Sequence, residues 1–309
     1  MKKRFSPKTT KTQEYINKRA LIDDKFISKA EERYRKRIAQ VADKLSEAGC
    51  RVLLMAGPSA SGKTTSAKKI SLELESRGIE TEVISVDDFF KDSSEYPVDE
   101  EGNIDFENVQ NVDIELFNVK LEELVEKGRA TIPKFDFKRG RRSEEIKEIE
   151  LGESGVAIIE GIHALNPLLS ESVNHDSILR VYVGLREEYL LLNDELLTTG
   201  IMRIVRRMIR DSKFRAYSAV NTFKLWESIK RGEERWIKVF MKEADMLLNT
   251  AFDYEPCVLK PIYYKVCEDS GFDDNLMEIY ENFKDFRSLP LGLVPADSML
   301  REFLGGLVL

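Results

Sequence analysis

The sequence predicts an α/β fold in which a parallel sheet is flanked by helices on both faces. Two observations carry this reading: short, wholly apolar runs recur with helix-period segments between them, and each run ends on a glycine or an acid where a loop should begin. Residues 28 to 48 place Ile38, Val41, Ala42 and Leu45 at helical spacing among many charges, an amphipathic helix closed by Gly49. Val52-Leu53-Leu54-Met55-Ala56 follows as a buried parallel strand that opens directly into a glycine-rich loop. A helix continues from that loop to about Arg77, stopped by Gly78. Glu82 to Val86 is a second strand ending at Asp87 and Asp88, and residues 113 to 127 form a helix that Gly128 closes. Val156 to Ile159 is a third strand ending at Glu160-Gly161, and Leu179 to Gly184 is a fourth. Ligands of such sheets sit at the carboxyl ends of the strands, where the candidate polar residues cluster. From about residue 186 the strand signals fade. The remainder reads as helical segments interrupted at Gly200, Gly232 and the stretch from Pro256 to Pro261, and no internal repeat or low-complexity tract occurs.

Composition narrows the function classes. The chain has 309 residues, 42% of them hydrophobic, enough for one large core or two modest ones. Both signs of charge are mixed along it and the formal net charge is -7, which argues against a general nucleic-acid-binding surface, so any phosphate chemistry needs a local cationic site. Cys50, Cys257 and Cys267 are few and widely spaced, fitting free thiols in a reducing compartment. His163 and His175 are the only histidines and neither lies in a CxxC or HExxH pattern, so a zinc site is not expected. No apolar run is long enough to span a bilayer, and the opening MKKRFSPKTTKTQ has basic residues without the apolar stretch of a secretory signal. The reading is therefore cytoplasmic, with no membrane partner. Residues 1–27 are taken as an N-terminal extension ahead of a single domain over 28–309.

The strongest chemical signal is Gly57-Pro58-Ser59-Ala60-Ser61-Gly62-Lys63-Thr64, a full GxxxxGK[ST] match between a buried strand and a helix. Gly57 and Gly62 permit backbone conformations that turn amide N–H groups inward around phosphates, and the anion then meets a helix N-terminus. Lys63 places a cation on the β and γ phosphates of ATP. The Thr64 hydroxyl is positioned for the bridging magnesium ion, and Thr65 adds a hydroxyl for the α phosphate. A chance Gly/Ser loop would not come with this strand and helix on either side. The pattern implies a P-loop nucleotide-binding fold, without separating a kinase from a GTPase, a motor or a switch.

Other strand ends bear on that choice. A carboxylate at Asp87 or Asp88 suits a base that accepts the proton of an attacking hydroxyl, and strand alternation turns only one of the two toward the phosphates; helix capping is an equally good reading of the pair. Glu160 ends the third strand where P-loop enzymes carry a second acidic metal-site residue. Arg203, Arg206 or Arg207, and Arg210 share one helix face and suit a lid, about residues 200–216, that closes over transferring phosphate and excludes water. A solvated helix face is the plainer alternative, less comfortable because no Glu is interleaved. Lys138-Arg139-Gly140-Arg141-Arg142, followed by Glu144 and Glu145, reads mostly as surface.

These residues resemble the uridine kinase and phosphoribulokinase group of P-loop kinases. The likeness runs through Gly57 to Thr65, Ile84-Ser85-Val86-Asp87-Asp88-Phe89-Phe90, Asp105-Phe106-Glu107, Ile132-Pro133-Lys134-Phe135-Asp136-Phe137, Ile158-Ile159-Glu160-Gly161-Ile162-His163 and Arg206-Arg207-Met208-Ile209-Arg210-Asp211. Downstream, Phe214 to Ala219, Arg231-Gly232-Glu233-Glu234-Arg235 and Leu300 to Gly306 are similar to a longer bacterial branch, and a chain of this length is expected to lack the threonyl-tRNA synthetase-like segment of that branch. The resemblance implies that Asp87 is the base, that Glu160 joins Thr64 at magnesium, and that Arg207 and Arg210 are lid arginines. It further implies that Glu107 holds ribose hydroxyls, that Phe135 and Asp136 lie on the acceptor side, and that Arg215 is a further ligand. Gly140 stands where the animal enzymes use a histidine against the pyrimidine, and Asn108-Val109-Gln110 replaces a His-Pro-Asp stretch. The expected activity is ATP- and Mg2+-dependent phosphorylation of a primary hydroxyl on a small molecule, first a nucleoside such as uridine or cytidine. The alternatives are a pantothenate, ribulose-phosphate or other polyol kinase, and a non-catalytic ATP-binding regulator or RNA-associated protein. Self-association is compatible with the sequence but not indicated by it.

Overall fold

The computed structural model describes residues 7–98, 102–271 and 273–309. The chain opens with strand β1 (Thr9–Thr12), helix α1 (Gln13–Ile22) and the amphipathic helix α2 (Phe26–Ala48), which Gly49 ends in the left-handed conformation. Strand β2 (Val52–Ala56), helix α3 (Lys63–Glu75) and strand β3 (Thr81–Ser85) follow, then α4 (Ile114–Lys127), β4 (Arg129–Asp136), β5 (Arg141–Glu150) and β6 (Val156–Glu160). The second half comprises β7 (Ile178–Gly184), β8 (Glu187–Leu190), β9 (Leu196–Leu197), α5 (Thr199–Phe214), α6 (Ala219–Lys224), α7 (Trp226–Trp236), β10 (Met246–Asn249), α8 (Glu255–Asp269), α9 (Asp274–Phe283) and the short α10 (Arg301–Leu304).

The central sheet is parallel, in the order β3-β6-β2-β7-β10. Its apolar runs are continuous because both faces are covered. Along β2, Leu53 and Met55 pack into one core with α2, α3, α5 and α8, while Val52, Leu54 and Ala56 pack into a second with α4 and the β4–β5 hairpin. In β6, Ile158 and Ile159 divide between the same two cores. Consecutive strand residues point to opposite faces, so both faces of β2, and of β6 up to Ile159, are apolar.

Three features depart from the sequence reading. Strands do not stop at residue 186: β10 is the fifth strand of the main sheet, pairing Met246 with Val181 and Asn249 with Gly184, and β8 joins a separate small sheet. β10 has four residues and one fully buried side chain, Leu248, so its local signal is slight. The charged stretch from Arg129 to Glu150, read as mostly surface around Arg142, is an antiparallel hairpin whose Ala130, Ile132 and Ile149 reach the second core. The second strand stops at Ser85, and Val86–Phe89 forms a tight helical turn in which the Ser85 hydroxyl accepts from the Asp87 amide at 3.3 Å.

β1 and α1 are docked on the body. β1 pairs with β8 from Thr9↔Glu187 to Thr12↔Leu190, and Ile16 of α1 is fully buried in the main core. The Lys11 ammonium bridges Glu187, at 2.7 Å, and Asp253. Truncating Ile16 leaves a cavity that the strand pairing prevents from collapsing. Ile16→Ala should cost about 2–4 kcal/mol in urea unfolding. A loss below about 0.5 kcal/mol, the range of ordinary surface substitutions, would show the segment to be a dispensable attachment.

Candidate functional site

The loop after β2 is shaped by close approach. A Cβ on Gly57 would collide with the Val183 carbonyl of β7, and one on Gly62, which caps α3 with φ +83°, would meet the Met299 sulfur. Ala60 takes φ +58°, a left-handed conformation that a non-glycine residue adopts only when its surroundings hold it there.

That hold comes from behind the loop. Arg203 and Glu233 form a buried bidentate pair at 2.6 and 2.7 Å, in which the same Arg203 Nη1 also donates to the Ser59 carbonyl at 3.0 Å and the Ser59 amide donates to Glu233 at 3.2 Å. Arg206 and Glu255, both fully buried, pair at 2.5 and 2.7 Å while Arg206 donates to the carbonyls of Ala60 at 3.3 Å and Thr250 at 2.8 Å. The Thr250 hydroxyl takes the Ser61 carbonyl at 2.6 Å. This corrects the sequence reading of one arginine face closing over phosphate: Arg203 and Arg206 hold the outer carbonyls of the loop. Helical spacing identifies the face but not the acids that meet it from α7 and α8. Arg207 does reach the loop, donating to the Ser59 hydroxyl at 2.8 Å. Asp211 gathers Arg207 at 3.3 Å, Arg210 at 2.8 Å and Arg215 at 3.6 Å.

On the inner side, Lys63 donates to the Pro58 carbonyl at 3.2 Å and the Thr64 hydroxyl donates to Glu160 at 3.1 Å. Burial, assisted by Asp87, pushes the Glu160 carboxyl up to about 7 against the pull of Lys63. A hydroxyl and a carboxylate side by side are oxygen ligands suited to a small hard cation that completes its shell with phosphate and water. Among the described residues, no group of three or more His, Cys, Asp or Glu side chains is placed to hold a metal alone. Thr65 donates its amide and hydroxyl to Glu302.

Asp87 and Asp88 sit in the turn after β3, so strand alternation does not separate them. Asp88 accepts from the Phe135 amide of β4 at 3.4 Å. Asp87 lies within the fields of Lys63 and Arg215, and burial raises its carboxyl above the ordinary aspartate range. Glu107 stands between Glu233, Arg207, Lys63 and Asp87, and burial pushes it up to about 7. Gly232 of α7 presses against it; a Cβ there would lie 2.5 Å from the Glu107 Cβ. Trp236, one turn on, donates to Asp105 at 3.1 Å, and Asp105 in turn accepts from the Glu107 amide at 3.2 Å. Phe135 belongs to a chain of edge-on rings, Phe137–Phe135–Phe90–Tyr96–Phe106, with centroids 5.1 to 6.3 Å apart. The Asp136 carboxylate is taken up by the hairpin turn, accepting from the amides of Lys138 at 2.9 Å and Arg139 at 3.2 Å. Gly140 closes that turn at φ +63°, with the Ser93 hydroxyl where a Cβ would go. Arg142 ties the hairpin to Asp113 at 2.8 Å and to the Phe90 carbonyl at 3.2 Å. Glu233, Glu255 and Thr250 carry no local signal of these roles, since each acts on residues far away in the chain.

The family model described as phosphoribulokinase / uridine kinase matches residues 52–254, which span every strand of the central sheet and the loop. Among curated proteins, the uridine kinase of Halobacterium salinarum is 26% identical over 195 residues, covering 63% of this chain and 77% of that one. The uridine kinase of Mycoplasma genitalium is 26% identical over 198 residues, with 64% and 84% covered. Among solved structures, a "possible uridine kinase" from Bacillus stearothermophilus superposes with a TM-score of 0.47 at 21% identity, over 70% of this chain and 98% of that one. The chain belongs to the phosphoribulokinase / uridine kinase family.

Proposed function

We propose that this kinase transfers the γ phosphate of MgATP to the primary hydroxyl of a nucleoside, with uridine or cytidine first, as a cytoplasmic step of pyrimidine salvage. The observation that carries the reading is the neighbourhood of Asp87: a carboxylate that lies within the field of the loop lysine Lys63 and whose own charge reaches the Tyr96 phenol in the chain of aromatic rings. Phe106 and Phe137 at the ends of that chain are 61% and 66% exposed. Exposed aromatic edges beside a base suit a planar heterocycle better than a bare polyol. The free thiols at Cys50, Cys257 and Cys267 fit a reducing compartment.

In this reading the amides of Ala60 to Thr65 and the Lys63 ammonium cradle the triphosphate. Thr64 and Glu160 would hold magnesium, which would offset negative charge on the polyphosphate. Asp87 accepts the proton of the attacking hydroxyl, Arg207 and Arg210 face the charge on the transferring group, and Glu107 and Phe135 position the acceptor. Arg215 adds a cation near Asp87. Asp136 serves by fixing the hairpin turn that carries Phe135.

A coupled assay across nucleosides, pantothenate and sugar phosphates should give ATP-dependent product with uridine or cytidine; product only with a sugar phosphate or pantothenate would overturn the nucleoside choice. Asp87→Asn should lower kcat about 10²–10⁴-fold, the usual contribution of a general base, with nucleotide affinity little changed. Equal turnover would remove Asp87 as base. Glu107 gives a pH test of its placement. Its folded-state value of about 7 lies above the ordinary glutamate value of 4.5, so the folded protein holds more protons in between and stability should fall as pH rises through that window, by at most about 1.4 kcal/mol per pH unit. Glu107→Gln should flatten that slope in chemical unfolding between about pH 5 and 7. An unchanged slope would mean that Glu107 titrates as an ordinary exposed acid.

A further inference from the structure

The first turn of α3 presents its amides to an anion, and a carboxylate of the same chain already occupies one of them, that of Thr65. Thr65 donates its backbone N–H at 3.2 Å and its hydroxyl at 2.6 Å to one oxygen of Glu302. On the function proposed above, on which this inference rests, the same two groups receive the α phosphate of the nucleotide. One acceptor oxygen can satisfy them at a time.

Glu302 is delivered by a firmly held segment. Its neighbour Arg301 donates to the carbonyls of Leu291 at 3.1 Å, Val294 at 2.6 Å and Pro295 at 3.3 Å. Phe303 is fully buried beneath the Arg206 guanidinium, and the Leu304 carbonyl takes Lys213 at 2.9 Å. Met299 closes over Gly62 at the other end of the same turn of loop. The segment therefore rests on the loop and on α5 together, and only the Glu302 side chain has to turn for the Thr65 amide to be released.

We propose that Glu302 is a built-in competitor for the nucleotide: its carboxylate stands in for the α phosphate, and nucleotide binds by displacing it. Unliganded α3 keeps a satisfied N-terminus, and apparent affinity is reduced by the fraction of molecules in which Glu302 is seated. A carboxylate beside Glu160 also adds negative charge where phosphate must arrive.

The test measures two quantities that move in opposite directions. Glu302→Gln keeps the shape without the charge, and Glu302→Ala removes the cap. Thermal midpoints without ligand and equilibrium binding of MgADP and of a non-transferable MgATP analogue are compared with those of the unaltered protein. Both variants should melt at a lower temperature without ligand, since a helix cap is weakened, yet bind both nucleotides more tightly, by about tenfold for Ala, the factor one cap interaction supplies. If the unaltered protein binds nucleotide and both variants bind equally or more weakly, Glu302 is only a cap or a nucleotide-supporting residue; the competitor role falls and the kinase reading stands. If the unaltered protein and both variants bind no adenine nucleotide, the reading of the loop itself falls and takes this inference with it.

Discussion

Everything at the loop depends on two buried guanidinium–carboxylate pairs, Arg203–Glu233 and Arg206–Glu255. Taking four charges out of water is costly, and such pairs rarely improve on well-packed apolar side chains as a source of stability. What these provide is position. Each arginine uses spare donors on a loop carbonyl, Ser59 or Ala60, and Thr250 takes the carbonyl of Ser61. Three consecutive carbonyls are thus held from outside the loop, around an Ala60 that takes a positive φ. The loop's backbone is fixed from behind by charges buried away from solvent.

The inner side has the opposite electrostatic character. Lys63 lies among Glu160, Asp87 and Glu107, whose carboxyl values are all raised because burial outweighs the pull of Lys63 and, at Asp87 and Glu107, of Arg215 and Arg207. Burial thus leaves three carboxylates incompletely offset by the cations near them. A divalent cation bound with the polyphosphate of a nucleotide is the kind of partner that relieves such a deficit, which is consistent with the oxygen ligands at Thr64 and Glu160.

What was legible in the sequence follows a physical division. Gly57 to Thr64, Lys63 and Glu160 announce themselves because their roles are written into consecutive residues and into the apolar strands that precede them. The apolar runs of β2, β6 and β7 were legible because both faces of those strands are buried. β10 was not, because a four-residue edge strand buries too little to leave a pattern, and the charged hairpin was not, because only one of its faces meets a core. Arg203 and Arg206 were found as a cluster and misread in function, since the acids that claim them lie about 30 and 50 residues further along the chain. Asp87 could not be told from Asp88 by alternation because the strand ends at Ser85, before either; the Phe135 amide that engages Asp88 lies 47 residues away in the chain.

Gly232 and Glu233 are adjacent on α7, yet they serve different sides of the site. Glu233 accepts from the amide of Ser59 in the loop, while the missing side chain of Gly232 makes room for Glu107. One peptide unit is therefore the shared wall between the two compartments. A shift of α7 large enough to admit or expel a molecule beside Glu107 has to be transmitted to Ser59, so the two halves of the site cannot relax independently, and by thermodynamic reciprocity whatever one ligand does to the other's affinity is returned in equal measure.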